Sequence, residues 1–348
     1  MPGNCHLLTT FKLVLKNKNM KAVVCTQYGP PEVLQIEEVE KPIPKANEVL
    51  VRVYATTVSA ADYKVRSFDV PASFWLPARL MVGLKKPRKS ILGMELSGEI
   101  EAIGKDVMRF KPGDQVFAAS LQNFGAYAEY ICLPEDGPIA LKPRNTSYEE
   151  AAALPIGART AFHYLKKIAD VHPDQKVLIY GASGSVGTYA VQLAKYLGAE
   201  VTGVCSRANL ELVKSLGADR VIDYEKADFT EDFETYDTIF ITIDKCPFKA
   251  CKKALSDTGT YLNVGRPMKS LPMIWTSLSS SKKVVVGKNS PETAEALIVL
   301  ARIVEEGQLK AVVDRKYSIN QIVEAHRYTD HGHKKGNVVI TVNQNIKY

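Results

Sequence analysis

The chain has 348 residues, 46% of them hydrophobic and 24% charged. That is the balance of a folded chain long enough for two domains, and it excludes a disordered, collagenous or coiled-coil protein. No stretch reaches the ~20 uninterrupted apolar residues of a membrane span, because the most apolar loop, residues 71–84, contains two prolines and Arg79. The net charge of +7 is concentrated in two clusters, Lys12, Lys16, Lys18 and Lys21 and then Lys85, Lys86, Arg88 and Lys89. No nucleic-acid-binding module accompanies them, so they read as solvated patches, with attraction of an anionic ligand as the alternative.

Residues 1–19 read as an N-terminal extension without the apolar core and small-residue cleavage site of a secretory signal. Met20-Lys21-Ala22-Val23-Val24 then opens the first strand. The six cysteines are scattered, with no Cys-x-x-Cys pair. Free thiols in a reducing cytoplasm are therefore expected rather than a zinc or disulfide framework.

Residues 20–145 have the pattern of a compact β domain. Val49–Ala55, Gly98–Gly104, Val116–Ala119 and Tyr127–Cys132 are strands, separated by turns such as Lys111-Pro112-Gly113-Asp114. Near residue 145 the texture changes: Thr146-x-x-Glu149 is a capping box opening a helix at Ala151. Strands at Val177–Tyr180, Val201–Cys205, Val221–Ile222, Thr238–Ile243 and Tyr261–Val264 alternate with helices at Gly187–Leu197 and Leu210–Leu216. This alternation predicts an α/β domain with a doubly wound parallel sheet over residues 146–286. Residues 287–348 open with a helix N-capped by Ser290, with Pro291 at its first position and Gly307 as its stop. They close with a short helix from Ile319 and the strand Val338–Val342.

The strongest chemical signal is Gly181-Ala182-Ser183-Gly184-Ser185-Val186-Gly187, after an apolar strand and at the start of a helix. Gly181 suits the tight turn, Gly184 the approach of a pyrophosphate, and Gly187 close helix–strand packing. The helix N-terminus offers N–H groups and its positive dipole end to phosphate. The following strand ends in Cys205-Ser206-Arg207, with no carboxylate until Glu211. A carboxylate there would hold the ribose hydroxyls of NAD, whereas Arg207 and Ser206 suit a 2′-phosphate, so NADP(H) is the expected cofactor.

The chain resembles the medium-chain dehydrogenase/reductases, in their zinc-free, quinone oxidoreductase-like branch. The resemblance runs from about Met20 to the C-terminus. It rests on Tyr28-Gly29-Pro30-Pro31-Glu32-Val33-Leu34, Gly125-Ala126-Tyr127-Ala128-Glu129-Tyr130, Ala152-Ala153-Leu154-Pro155 with Thr160-Ala161, and Gly181 to Gly187. It continues through Leu216-Gly217-Ala218-Asp219, Asp223-Tyr224, Glu324-Ala325-His326-Arg327-Tyr328 and Gly332-His333-Lys334-Lys335-Gly336-Asn337-Val338-Val339. It implies a GroES-like catalytic domain, a Rossmann cofactor domain, and a C-terminal return to the first domain.

In the zinc members, a cysteine and a Gly-His-Glu histidine hold the metal; the matching positions here are Ser59 and Met94. No cysteine lies between Cys132 and Cys205, where the third ligand would fall. No metal is expected, and His331-Gly332-His333 reads as surface. A short-chain dehydrogenase is excluded because none of the 16 tyrosines begins Tyr-x-x-x-Lys, and Gly-x-Ser-x-Gly is absent too.

Asp62-Tyr63-Lys64-Val65-Arg66 matches the family's Asn-Pro-x-Asp-x-x-x-Arg cleft motif, with Ser59-Ala60 replacing Asn-Pro. The resemblance implies Ser59 near the nicotinamide, Asn263-Val264-Gly265 beside it, Thr160 on the cleft side, Tyr224 near the adenosine and Gly336-Asn337 at the cleft lip. Lys64 is the expected electrophilic donor, with Tyr63 as a competing proton source; the alternative is that either is simply exposed on a strand-to-helix loop. The expected function is NADPH-dependent, zinc-independent hydride transfer to a quinone or α,β-unsaturated carbonyl. An enoyl-thioester or biosynthetic-enone reductase is the enzymatic alternative. A non-catalytic NADPH-binding interaction protein is the alternative of another class. Phe74-Trp75-Leu76-Pro77 and Leu271–Trp275 read as substrate walls or a subunit interface. The run Lys283-Val284-Val285-Val286, together with the resemblance, predicts a sheet-edge strand and a homodimer.

Overall fold

The computed structural model describes residues 19–70, 75–227, 229, 234–265, 269–332 and 334–342. Phe74 and His333 thus lie outside the described residues, as does nearly all of the N-terminal extension. Seven strands come first: β1 (Asn19–Cys25), β2 (Leu34–Glu40), β3 (Glu48–Val58), β4 (Glu95–Ile103), β5 (Gln115–Ala119), β6 (Tyr130–Pro134) and β7 (Ile139–Leu141). Six more follow: β8 (Lys176–Tyr180), β9 (Glu200–Cys205), β10 (Arg220–Asp223), β11 (Tyr236–Ile241), β12 (Leu255–Asn263) and β13 (Lys283–Val286). The chain ends with β14 (Val313–Ser318) and β15 (Asn337–Thr341).

β1 and β2 form an antiparallel pair. The first domain's main sheet runs β14-β15-β3-β4-β5-β7, with β6 also paired to β3. Its core gathers Val49, Val51 and Val53 of β3, Ile100 of β4 and Ile131 of β6, with Val338 and Ile340 brought back from the C-terminal strand. The second sheet is parallel, in the order β10-β9-β8-β11-β12-β13. The middle of β8 is apolar without alternation because both faces are covered: Val177 and Ile179 join one core cluster, Leu178 the other. This order reverses between β8 and β11, the crevice where ligands bind in doubly wound sheets.

Several local expectations shift. The capping box is Ser147 with Glu150, one residue later than expected, because the Thr146 hydroxyl instead donates to the Pro143 carbonyl at 2.8 Å. The late helix spans Ala294–Glu305 and is preceded by Thr293, not Ser290. Residues 288–291 stay non-helical; Tyr164 Oη donates to Lys288 O at 2.8 Å and Arg159 Nη1 to Pro291 O at 3.1 Å. The apolar stretch expected as a loop contains a helix, Trp75–Val82. Tyr63 and Lys64 lie within the helix Ala60–Ser67 rather than on a loop before it.

Candidate functional site

At the end of β8 the chain turns at Gly181, φ +84°, held by Thr242 Oγ1 donating to the carbonyls of Tyr180 and Gly181, both at 3.0 Å. A Cβ at Gly187 would stand 2.1 Å from Gly181 O, so only glycine lets the helix Ser185–Tyr196 lie this close to the turn. At Gly184 a Cβ would meet nothing nearer than Gly181 O at 3.5 Å. The missing side chain leaves an open flank at the helix start, whose first N–H groups have no side-chain cap. Ala182 is buried beneath the turn, and Val186 packs against the same core. This cradle fits a dinucleotide pyrophosphate on its own geometry.

At the end of β9 a hydrogen-bond network is built around Asn209, a residue that sequence reasoning missed. Its buried Nδ2 donates to Ser183 Oγ and Ser206 Oγ, both at 3.1 Å, tying the glycine turn to the end of β9. Its Oδ1 is buried without a partner among the described residues. Arg207 is exposed at the first position of a 3-10 turn. Tyr224 is also exposed, its ring 6.4 Å from that of Tyr180. Asp223 ends β10 in register with Cys205. Burial, and then Asp223, push the Cys205 thiol up to about 11, so it stays neutral.

At the other end of the crevice, Asn263 is fully buried, with Nδ2 donating to Asp244 Oδ1 at 3.2 Å and Tyr261 Oη at 3.1 Å. Its Oδ1 accepts from Gly265 N at 2.8 Å, while Val264 N donates to Ile241 O at 3.1 Å. The 263–265 backbone is thereby fixed beside the end of β11. Gly336 N donates to Ser183 O at 2.8 Å. Asn337 is consumed internally: Oδ1 accepts from Ser185 Oγ at 2.6 Å, and Nδ2 donates to Tyr189 Oη and Val312 O, both at 3.2 Å. It clamps the glycine-turn helix to the C-terminal segment. Thr160 is half-buried on the helix Gly157–Phe162.

Ser59 caps the helix Ala60–Ser67, and its Oγ donates to Asp62 Oδ2 at 2.6 Å. Tyr63 is half-buried, and burial raises its hydroxyl above the ordinary tyrosine range, helped by Asp69 and Asp330. Lys64 is exposed on the same helix. Behind them lies a buried polar cluster that local sequence patterns do not reveal. Asp62 is raised to about 6 by burial against the lowering bonds from Ser59 and Gly93. Glu95 is raised to about 7, again by burial, although it accepts from the Thr57 hydroxyl and from Ile156 N at 2.8 Å. Tyr127 Oη contacts His326 Nε2 at 3.2 Å, and Arg66 pairs with Asp330 at 2.6 Å. Lys334 donates to Gly336 O at 2.9 Å; burial lowers its ammonium to about 8, opposed by Glu95, Asp314 and Asp62. The zinc-ligand position Met94 is buried next to Glu95. Among the described residues no group of three or more His, Cys, Asp or Glu could hold a metal.

These features define a two-domain nicotinamide-dependent oxidoreductase. Residues 45–143 match the alcohol dehydrogenase GroES-like domain, and residues 216–340 match the family described as zinc-binding dehydrogenase. A chloroplastic quinone oxidoreductase of Triphysaria versicolor is 34% identical over 94% of this chain and 99% of its own length. A chloroplastic NADPH-dependent alkenal/one oxidoreductase of Arabidopsis thaliana is 30% identical over 93% of this chain and 80% of its own. The solved quinone oxidoreductase of Coxiella burnetii superposes with a TM-score of 0.83 at 29% identity, covering 94% of this chain and all of that one. The chain belongs to the medium-chain dehydrogenase/reductase superfamily, in its quinone oxidoreductase-like branch. Among the described residues no helix is long and apolar enough to cross a membrane.

Proposed function

We propose that the protein is an NADPH-dependent, zinc-independent reductase of quinones or α,β-unsaturated carbonyls. The observation that carries the reading is the end of β9, where Ser206 and Arg207 replace a ribose-binding carboxylate beside the glycine cradle. The acceptor class is supported by the names of the relatives, a quinone oxidoreductase and an alkenal/one oxidoreductase. A catalytic zinc does not fit the residues present: Ser59 Oγ is committed to Asp62 at 2.6 Å, and Met94 offers only a thioether. We further propose a homodimer, and a cytoplasmic location on the strength of the free thiols. Cell fractionation checks the location, and its finding in an organelle, as in the two chloroplastic relatives, would overturn it.

In this reading the glycine cradle, Ser206, Arg207 and Tyr224 hold the adenosine and phosphates. Ser59, Thr160 and the 263–265 backbone border the nicotinamide, which supplies the hydride when bound. The ammonium of Lys64 stabilises negative charge developing on the acceptor oxygen, and Tyr63, kept protonated by burial, is the competing proton source.

The test is NADPH oxidation, in chelator-treated enzyme, screened against quinones, 2-alkenals, 2-alkenones and enoyl thioesters. Turnover with quinones or enals is expected, and Lys64→Ala is expected to lower kcat on an enal about 10²–10³-fold with little change in NADPH affinity. Preference for an enoyl thioester would replace the acceptor class. NADPH binding without oxidation by any acceptor would make the protein a non-catalytic binder.

A further inference from the structure

Among the described residues, the helix Trp75–Val82 is unlike the other helices in having no buried residue. Leu80 is 57% exposed, Met81 76% and Leu84 66%, and Trp75 and Leu76 are exposed beside them. A surface helix that packs into its own domain buries an apolar stripe; this one turns its apolar side chains outward. The crest is nonetheless held firmly. The Arg79 guanidinium lies 4.1 Å from the Phe68 ring centroid and 4.4 Å from that of Tyr28, and its Nη1 donates to Leu84 O at 2.6 Å. Arg88 Nη2 donates to Leu80 O at 2.8 Å, and Tyr28 Oη to Gly83 O at 2.9 Å.

Charge completes the picture. From Val70 to Met94 the chain contains no Asp or Glu and five cations, Arg79, Lys85, Lys86, Arg88 and Lys89. Arg79 and Arg88 brace the crest, while Lys85, Lys86 and Lys89 are exposed immediately after it. Exposed apolar side chains backed by long cationic ones, with no carboxylate between them, match the two depths of a lipid surface, acyl chains below and phosphates above. Tryptophan suits the boundary between those depths.

We propose that the crest 75–89 docks the enzyme peripherally on an anionic lipid surface, Leu80, Met81 and Leu84 entering the headgroup–acyl boundary and Lys85, Lys86 and Lys89 meeting lipid phosphates. The proposal rests on the crest alone and stands or falls independently of the acceptor chemistry.

Co-sedimentation of the full chain with vesicles tests it. Binding is expected to phosphatidylglycerol mixed with phosphatidylcholine, to weaken as salt is added, and to be near background with phosphatidylcholine alone. The triple variant Lys85→Glu, Lys86→Glu, Lys89→Glu is expected to weaken binding about 10- to 100-fold. Leu80→Asp with Met81→Asp is expected to weaken it comparably. All five side chains are exposed, so circular dichroism and NADPH oxidation in solution should stay unchanged. Equal binding to both vesicle types overturns the proposal. So does unchanged binding by both variants, which would move the contact elsewhere on the chain. A third contrary outcome is background vesicle binding together with a lower oligomeric mass in the Leu80→Asp, Met81→Asp variant, which would make the crest an interface between copies.

Discussion

Arg207 stands exposed just past the end of β9, next to a serine already oriented by Asn209. One charge-assisted pair to a 2′-phosphate contributes about 1.5–3 kcal/mol, or about 10- to 150-fold in affinity. NADPH is therefore expected to bind tighter than NADH by that factor, and Arg207→Asp to erase or reverse the preference; equal dissociation constants in the unmutated protein would contradict the assignment. Glu95 makes the second residue-scale prediction. Its carboxyl is raised from 4.5 to about 7, first by burial. The folded state keeps this proton where the unfolded chain has lost it. The contribution to stability is thus complete below about 4.5 and is lost as pH rises through about 7. At about 1.4 kcal/mol per pH unit it amounts to about 3 kcal/mol. In Glu95→Gln, the fall in melting temperature between about pH 5 and about pH 8 should be shallower than in the unmutated protein; identical slopes would remove Glu95 as its source. The place of Arg207 at the end of β9 was legible because its signal is local, a strand end about 20 residues past the glycines. The Tyr127–His326 contact was not, since its partners lie 199 residues apart and no pattern joins them.

Elements were easiest to read where the sequence carries two agreeing signals. β8 is an apolar strand bounded by a glycine turn, and its position beside β11 puts that turn at the reversal of the sheet. The late helix was read too early because Ser290-Pro291 is a good opening locally. Side-chain bonds from Tyr164 and Arg159 instead hold those carbonyls outside the helix. The run Lys283–Val286 is the edge strand of the parallel sheet, as the sequence predicted, and Val285 and Val286 are only partly covered. An apolar edge invites pairing across a two-fold axis. Light scattering at micromolar concentration should give twice the chain mass, with Val285→Lys shifting the equilibrium to monomer; a monomer in the unmutated protein would contradict this pairing.

At the scale of the molecule, the two sheets are joined where the chemistry is expected. Gly336 N binds Ser183 O, and Asn337, the first residue of β15, ties the glycine-turn helix to Val312 just before β14. The glycine turn, bridged to Gly336, is thereby linked to the end of β3, where Val338 pairs with Val58 just before the helix bearing Ser59, Tyr63 and Lys64. The return of the C-terminal strand to the first domain came from the family resemblance, whereas a β domain followed by an alternating α/β domain was legible from composition and alternation. The clamp itself was not, because an asparagine after a glycine reads equally well as a free lip residue. The central claim is direct hydride transfer to a conjugated acceptor without metal, and following the label tests it most directly. With NADPH deuterated at the transferring C4 position, chelator-treated enzyme is expected to place deuterium on the β-carbon of a 2-alkenal, yielding the saturated aldehyde. Deuterium at the carbonyl carbon of an allylic alcohol, or transfer that appears only when zinc is restored, would contradict the account.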